Sequence, residues 1–175
     1  MIIHAIDPGP ITCGVVIYDT DARAVIACDK AQPVEVVLRA ITATAARGNQ
    51  WIVACERVQS YGIAGSSLLQ TAESFGRIWD RAEGHGLPFV PLYRREVLRE
   101  LDLLGAKGNR DSAVRLRMLE MHGGRERALG SKATPGPLYG VTSHAWQALG
   151  LACAAASMLD RGALELSSAV EISGG

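Results

Sequence analysis

Two short apolar runs each end on a single carboxylate: MIIHAID (1–7) stops at Asp7 and WIVACE (51–56) stops at Glu56. Runs this short and this apolar, bounded by turn signals, read as buried strands rather than helices. Pro8, Gly9 and Pro10 force a turn after the first run. GVVIYD (14–19) and RAVIAC (23–28) follow as second and third strands on short connections, an antiparallel meander. If the first and fourth strands are parallel neighbours, Asp7 and Glu56 point into one crevice at the end of a sheet, where α/β folds build ligand sites.

The rest of the chain reads as helices and one more strand. Pro33 suits a first helical position, and Val34, Val37, Leu38 and Ile41 make one apolar stripe that Gly48 ends. A loop over 60–67 leads to a second helix with Leu68, Ala72, Phe75, Trp79 and Ala82 on one face. Phe75 and Trp79 serve either the core or a dimer face. LPFVPLY (87–93) is a fifth strand, edge-like because of its two prolines. A third helix over 94–104 carries Val97, Leu98, Leu101 and Leu104, and Asn109 or Asp111 caps a fourth that stops at Gly123. Residues 124–140 read as a loop, and a last helix runs from about Ser143 to Leu159. The expectation is one α/β domain over 1–160 with a mixed five-stranded sheet, three strands antiparallel and two parallel, flanked by helices, and a frayed tail over 161–175.

Composition narrows the class. Hydrophobic residues make up 48 % of the 175, enough for a sizeable core and too many for disorder. Cys13, Cys28, Cys55 and Cys153 lie far apart with no C-x-x-C pair, which argues against a zinc ribbon or a disulfide scaffold. The apolar stretch from Ala145 to Leu159 is short for a bilayer and contains Gln147. The sequence meets Asp7 too soon for a secretory signal, so a cytoplasmic protein is expected. The 18 basic and 18 acidic residues cancel over the whole chain but not locally. Between Arg94 and Lys132 ten basic residues face six acidic ones, a local charge of +4 beside an acidic remainder.

IDPGPITCGVVIYD (6–19) resembles the start of the RuvC family of Holliday-junction resolvases, within the RNase H-like superfamily. VACERV (53–58), LPFVPLYRREVL (87–98), LGAKGNRDSAV (104–114) and HAWQALGLA (144–152) resemble later family segments in the same order. PGPLYGVTSHAW (135–146) looks most like phage-encoded relatives. The resemblance implies a structure-selective endodeoxyribonuclease that hydrolyses branched DNA to a 5′-phosphate and a 3′-hydroxyl with Mg²⁺ or Mn²⁺, two ions per site. Asp7, Glu56 and His144 would be the metal ligands, with Gln147 the fourth catalytic position. Most family members place two aspartates, three apart, on the last helix, where this chain has His144 and Gln147. Fewer anionic ligands weaken divalent-ion binding, and imidazole favours Mn²⁺. Asp111 is an alternative fourth acid or a helix cap.

The resemblance further implies a homodimer, whose two-fold symmetry suits a four-way junction. Arg94, Arg95, Lys107, Arg110, Arg115 and Lys132 are candidate phosphate contacts, and Tyr61 a candidate for stacking on an unpaired base. Three other readings stay open. A degenerate relative would hold branched DNA and cut it poorly because of Gln147, and a general RNase H would cut RNA–DNA hybrid. Actin-like ATPases and sugar kinases share the opening hairpin but need two such domains.

Overall fold

The two carboxylate-tipped runs lie side by side. The computed structural model describes residues 1–48, 50–60, 62–164 and 166, so Tyr61 and most of the expected tail over 161–175 lie outside the described residues. Strand β1 (Ile2–Asp7) runs parallel to β4 (Trp51–Arg57), with Ile2 opposite Trp51 and Ile6 opposite Cys55. On its other side β1 pairs antiparallel with β2 (Thr12–Asp19), Asp7 facing Gly14. The β3 strand (Ala24–Pro33) extends the meander, and β5 (Phe89–Tyr93) adds a second parallel pair against β4. The sheet order is β3-β2-β1-β4-β5, the mixed five-stranded sheet that the sequence predicts.

Strand periodicity of two assigns each residue to a face. Ile3, Ala5, Val16, Tyr18, Ile52 and Ala54 point to one side, where they join the core of α6 (Ala145–Asp160). Helices α3 (Arg94–Glu100) and α4 (Arg110–Met121) pack on that side too, against α6. Ile6, Val15, Val53 and Cys55 point to the other, under α1 (Val34–Ala45) and α2 (Ser66–Gly84). Phe75 and Trp79 of α2 belong to this second core, with Trp79 stacked on Phe89 at 5.5 Å between ring centroids. All residues of α6 from Ala145 to Ala155 are buried, which is why its sequence shows no polar face.

Several boundaries differ from the sequence expectation, each for a local reason. Pro33 ends β3 and stands just before α1 in extended geometry, rather than inside the helix. The third helix stops at Glu100, because Asp102 takes a left-handed φ of +59° and the Leu103 N–H donates to the Leu98 carbonyl, a closure usually made with glycine. Asn109, not Asp111, caps α4: its side-chain oxygen accepts from the N–H groups of Asp111 and Ser112. A five-residue helix α5 (Arg125–Leu129) sits between Gly124 and Gly130 in the stretch expected to be loop. Helices α4 and α6 approach closely at Gly150, where a Cβ would come within 2.7 Å of a Val114 methyl. Among the described residues no helix is long and apolar enough to cross a membrane.

Candidate active site

Asp7 shares its strand face with Ala5 and Ile3, and Glu56 shares its own with Ala54 and Ile52. Both carboxylates therefore leave the sheet on the α6 side, at the C-terminal ends of adjoining parallel strands. They line a recess of about 240 Å³ together with Pro8, Arg57, Gln59 and Arg94. Burial and the neighbouring Glu56 charge push the Asp7 carboxyl up to about 7, against a partial offset from Arg94. Burial also raises Glu56, again opposed by Arg94. Two partly buried acids, one raising the other by its charge, are a pair in need of a cation.

One cation is already present. Arg94 opens α3 directly after β5, and its Nη1 donates to Glu56 Oε2 at 3.2 Å. Its Nη2 donates to Asp111 Oδ1 at 2.7 Å. Asp111 lies in the first turn of α4, so Arg94 ties that turn to the end of β4. The start of α3 is itself fixed: the Tyr93 N–H donates to Glu96 Oε2 at 2.7 Å.

His144 and Gln147 line a second recess of about 270 Å³ with Asp111, Ser112, Arg115 and Trp146. His144 stands just before α6 and is exposed, and Ser143 ahead of it holds a left-handed φ of +48°. The turn brings the His144 backbone over Gly14, the residue that faces Asp7 across the β1–β2 pair. Gln147 is buried; its Nε2 donates to the Asp111 carbonyl at 3.4 Å and its Oε1 has no partner. The structure thus brings Asp7 and Glu56 into one recess and places His144 and Gln147 in the other. Among the described residues no three His, Cys, Asp or Glu side chains form a ready-made metal cage.

The remaining basic candidates ring these recesses or lie beyond them. Arg95, Lys107, Arg110, Arg115 and Lys132 are exposed. Arg115 also lies over the Trp146 ring, 5.6 Å from its centroid, beside His144 and Gln147. Arg94 is the exception, drawn into the cleft and held by acids.

The geometry adds residues that sequence reasoning did not single out. Arg57 lines the Asp7–Glu56 recess and sits 5.1 Å over the Tyr93 ring; its position directly after Glu56 was the available signal. Ser74 of α2 donates to the Gly9 carbonyl at 3.2 Å and steadies the turn that follows Asp7. No local pattern marks that contact, because it joins residues 65 apart in the chain.

A mixed β3-β2-β1-β4-β5 sheet flanked by helices is the RNase H-like fold. Within that class the chain has the fold of RuvC. It is similar to Thermus thermophilus RuvC, at 19 % identity over 93 % of this chain and 97 % of that one, with a TM-score of 0.62. It is equally similar to T. thermophilus RuvC in complex with Holliday junction substrate, at 19 % identity over 93 % and 96 %, with a TM-score of 0.60. No family model matches the sequence, and no curated protein matches it.

Proposed function

We propose that the chain is a RuvC-type, divalent-metal-dependent endodeoxyribonuclease that cuts branched DNA such as a Holliday junction. The observation that carries this reading is the pairing of Asp7 and Glu56 in one recess at the ends of adjoining parallel strands, on the RuvC fold. A similar structure holds Holliday junction substrate. The exposure of Arg95, Lys107, Arg110, Arg115 and Lys132 supports the same reading, since exposed cations can track a phosphate backbone.

The residues present fit Mg²⁺ or Mn²⁺. Both central donors are hard carboxylate oxygens, set where burial and the Glu56 charge disfavour the ionised Asp7 and Arg94 offsets this only in part. When bound, such ions supply a water of lowered pKa and stabilise the leaving 3′-oxygen. Asp7 and Glu56 would hold them, with His144 reaching from the second recess. Arg95, Lys107, Arg110, Arg115 and Lys132 would position the phosphates, and Tyr61 would stack at the branch point. A homodimer would present two such sites to the two matched strands of a four-way junction.

The test is strand cleavage of a four-way junction against a linear duplex and an RNA–DNA hybrid, with Mn²⁺ and with Mg²⁺. Cleavage of the junction that disappears in Asp7→Asn and Glu56→Gln is the expected result. Cleavage of hybrid alone would assign a general RNase H instead, and tight junction binding without nicking would assign a binding module. A chain that neither binds nor cuts the junction overturns the reading.

A further inference from the structure

Arg94 holds two acids at once and holds them unequally. Its bond to Asp111, at 2.7 Å, is shorter than its bond to Glu56, at 3.2 Å. The two partners also differ in setting: the Glu56 side chain is 19 % exposed and lines the recess with Asp7, whereas Asp111 is 69 % exposed and lines the second recess. A divalent cation entering the recess would compete with Arg94 for Glu56 and leave Asp111 untouched. We propose that Arg94 is an exchangeable counter-ion of the cleft: it neutralises Glu56 until a divalent cation takes that carboxylate. Still anchored by Asp111, it then turns its freed N–H groups on a phosphate oxygen of the DNA.

The surroundings allow this exchange with little movement. The backbone of Arg94 is fixed by the Tyr93–Glu96 bond at the start of α3, so only its side chain has to shift. The anchor is fixed as well. Asn109 caps α4 beneath Asp111, and the Gln147 amide donates to the Asp111 carbonyl. On this view Gln147 acts through Asp111 as a positioning residue, holding the turn that holds Arg94. A guanidinium has five N–H donors, so it can keep one carboxylate while presenting the rest to a phosphate. Its side chain is 25 % exposed, which leaves it shielded enough for its charge to count and open enough to reach substrate.

The inference rests on the nuclease reading, and the measurements separate the two. Mn²⁺ binding is followed by electron paramagnetic resonance, and junction affinity is measured in Ca²⁺. Arg94→Gln removes a competing cation, so Mn²⁺ binds about three- to tenfold more tightly while junction affinity falls about tenfold. Asp111→Asn loses the anchor: junction affinity falls by a similar factor and Mn²⁺ binding gains nothing. Arg94→Lys keeps the charge and decides the matter if the glutamine variant does not fold. It should bind Mn²⁺ like the parent and the junction more weakly, having lost the paired N–H geometry. Unchanged Mn²⁺ affinity in a folded Arg94→Gln, or parental junction affinity in Asp111→Asn or Arg94→Lys, overturns the proposal. Parental Mn²⁺ binding by Asp7→Asn would instead overturn the metal-nuclease reading itself.

Discussion

Gly14 has no side chain where the His144 backbone comes to rest. A Cβ built on Gly14 would lie 2.6 Å from the His144 carbonyl oxygen and 3.1 Å from the His144 Cβ. Gly14 also faces Asp7 across the β1–β2 pair, so this gap sets how near the entry to α6 approaches the acid-bearing strand. Gly14→Ala must push the 143–144 turn outward. It should destabilise the fold by about 1–3 kcal/mol in urea titrations and lower junction cleavage at temperatures where the variant remains folded.

The Asp7 carboxylate costs the metal-free fold stability. It is desolvated and repelled by Glu56. Asp7→Asn removes that charge with little change of shape. The metal-free variant should melt several degrees higher, a gain of about 2 kcal/mol, while cleavage is lost. Thermal melts in EDTA, paired with a junction-cleavage assay, check both halves.

His4 gives the fold an acid limit. It is buried in the middle of β1, its Nε2 has no partner and its Nδ1 lies 3.4 Å from the Thr44 hydroxyl. Burial lowers its pKa from the usual 6.5 to about 4. The unfolded chain therefore takes up a proton near pH 6.5 that the folded chain refuses until about pH 4. The His4 contribution to stability should be full above pH 6.5 and fall by about 3 kcal/mol as the pH drops to 4, while Asp7, raised to about 7, works in the opposite direction over the same range. Urea titrations of the parent and His4→Leu across this range should show the parent losing that much relative to the variant, since the Asp7 contribution is common to both.

Lys107 is exposed on the approach to α4 and Arg110 is exposed at its first position. Replacing either with Gln should weaken junction binding equally for all sequences and reduce the slope of log affinity against log salt by about one. Fluorescence anisotropy at a series of KCl concentrations reads this. An unchanged slope would remove that residue from the DNA contact surface.

The main frame was legible because strand alternation and turn chemistry are local. Asp7 and Glu56 each follow an apolar run, and a period of two carries each acid to the face of the residue two before it. The parallel pairing of β1 and β4 then follows from the helix between them. The partnership of Arg94 with Asp111 was not legible in this way. It depends on where the α3–α4 connection delivers the first turn of α4, and 17 residues separate the two. Asn109 and Asp111 are both good capping residues, so sequence preference alone left the cap open. Helix α5 is too short to show a helical stripe, and its bounding glycines read equally well as loop. Asp102 ended α3 in a conformation that glycine usually takes, so the stop signal at Gly105 came late.

The buried α6 helix has a consequence for how activity is lost. It packs against β1, β2, β4, α3 and α4, and its first turn carries Gln147 while His144 stands immediately before it. Its amide protons should be among the slowest in the molecule to exchange with deuterium, since releasing them means opening the core. Many enzymes hang their reactive groups on loops that loosen before the body melts. Here the second recess is rooted in a helix buried from Ala145 to Ala155, so heating should abolish junction binding and unfold the protein in a single step.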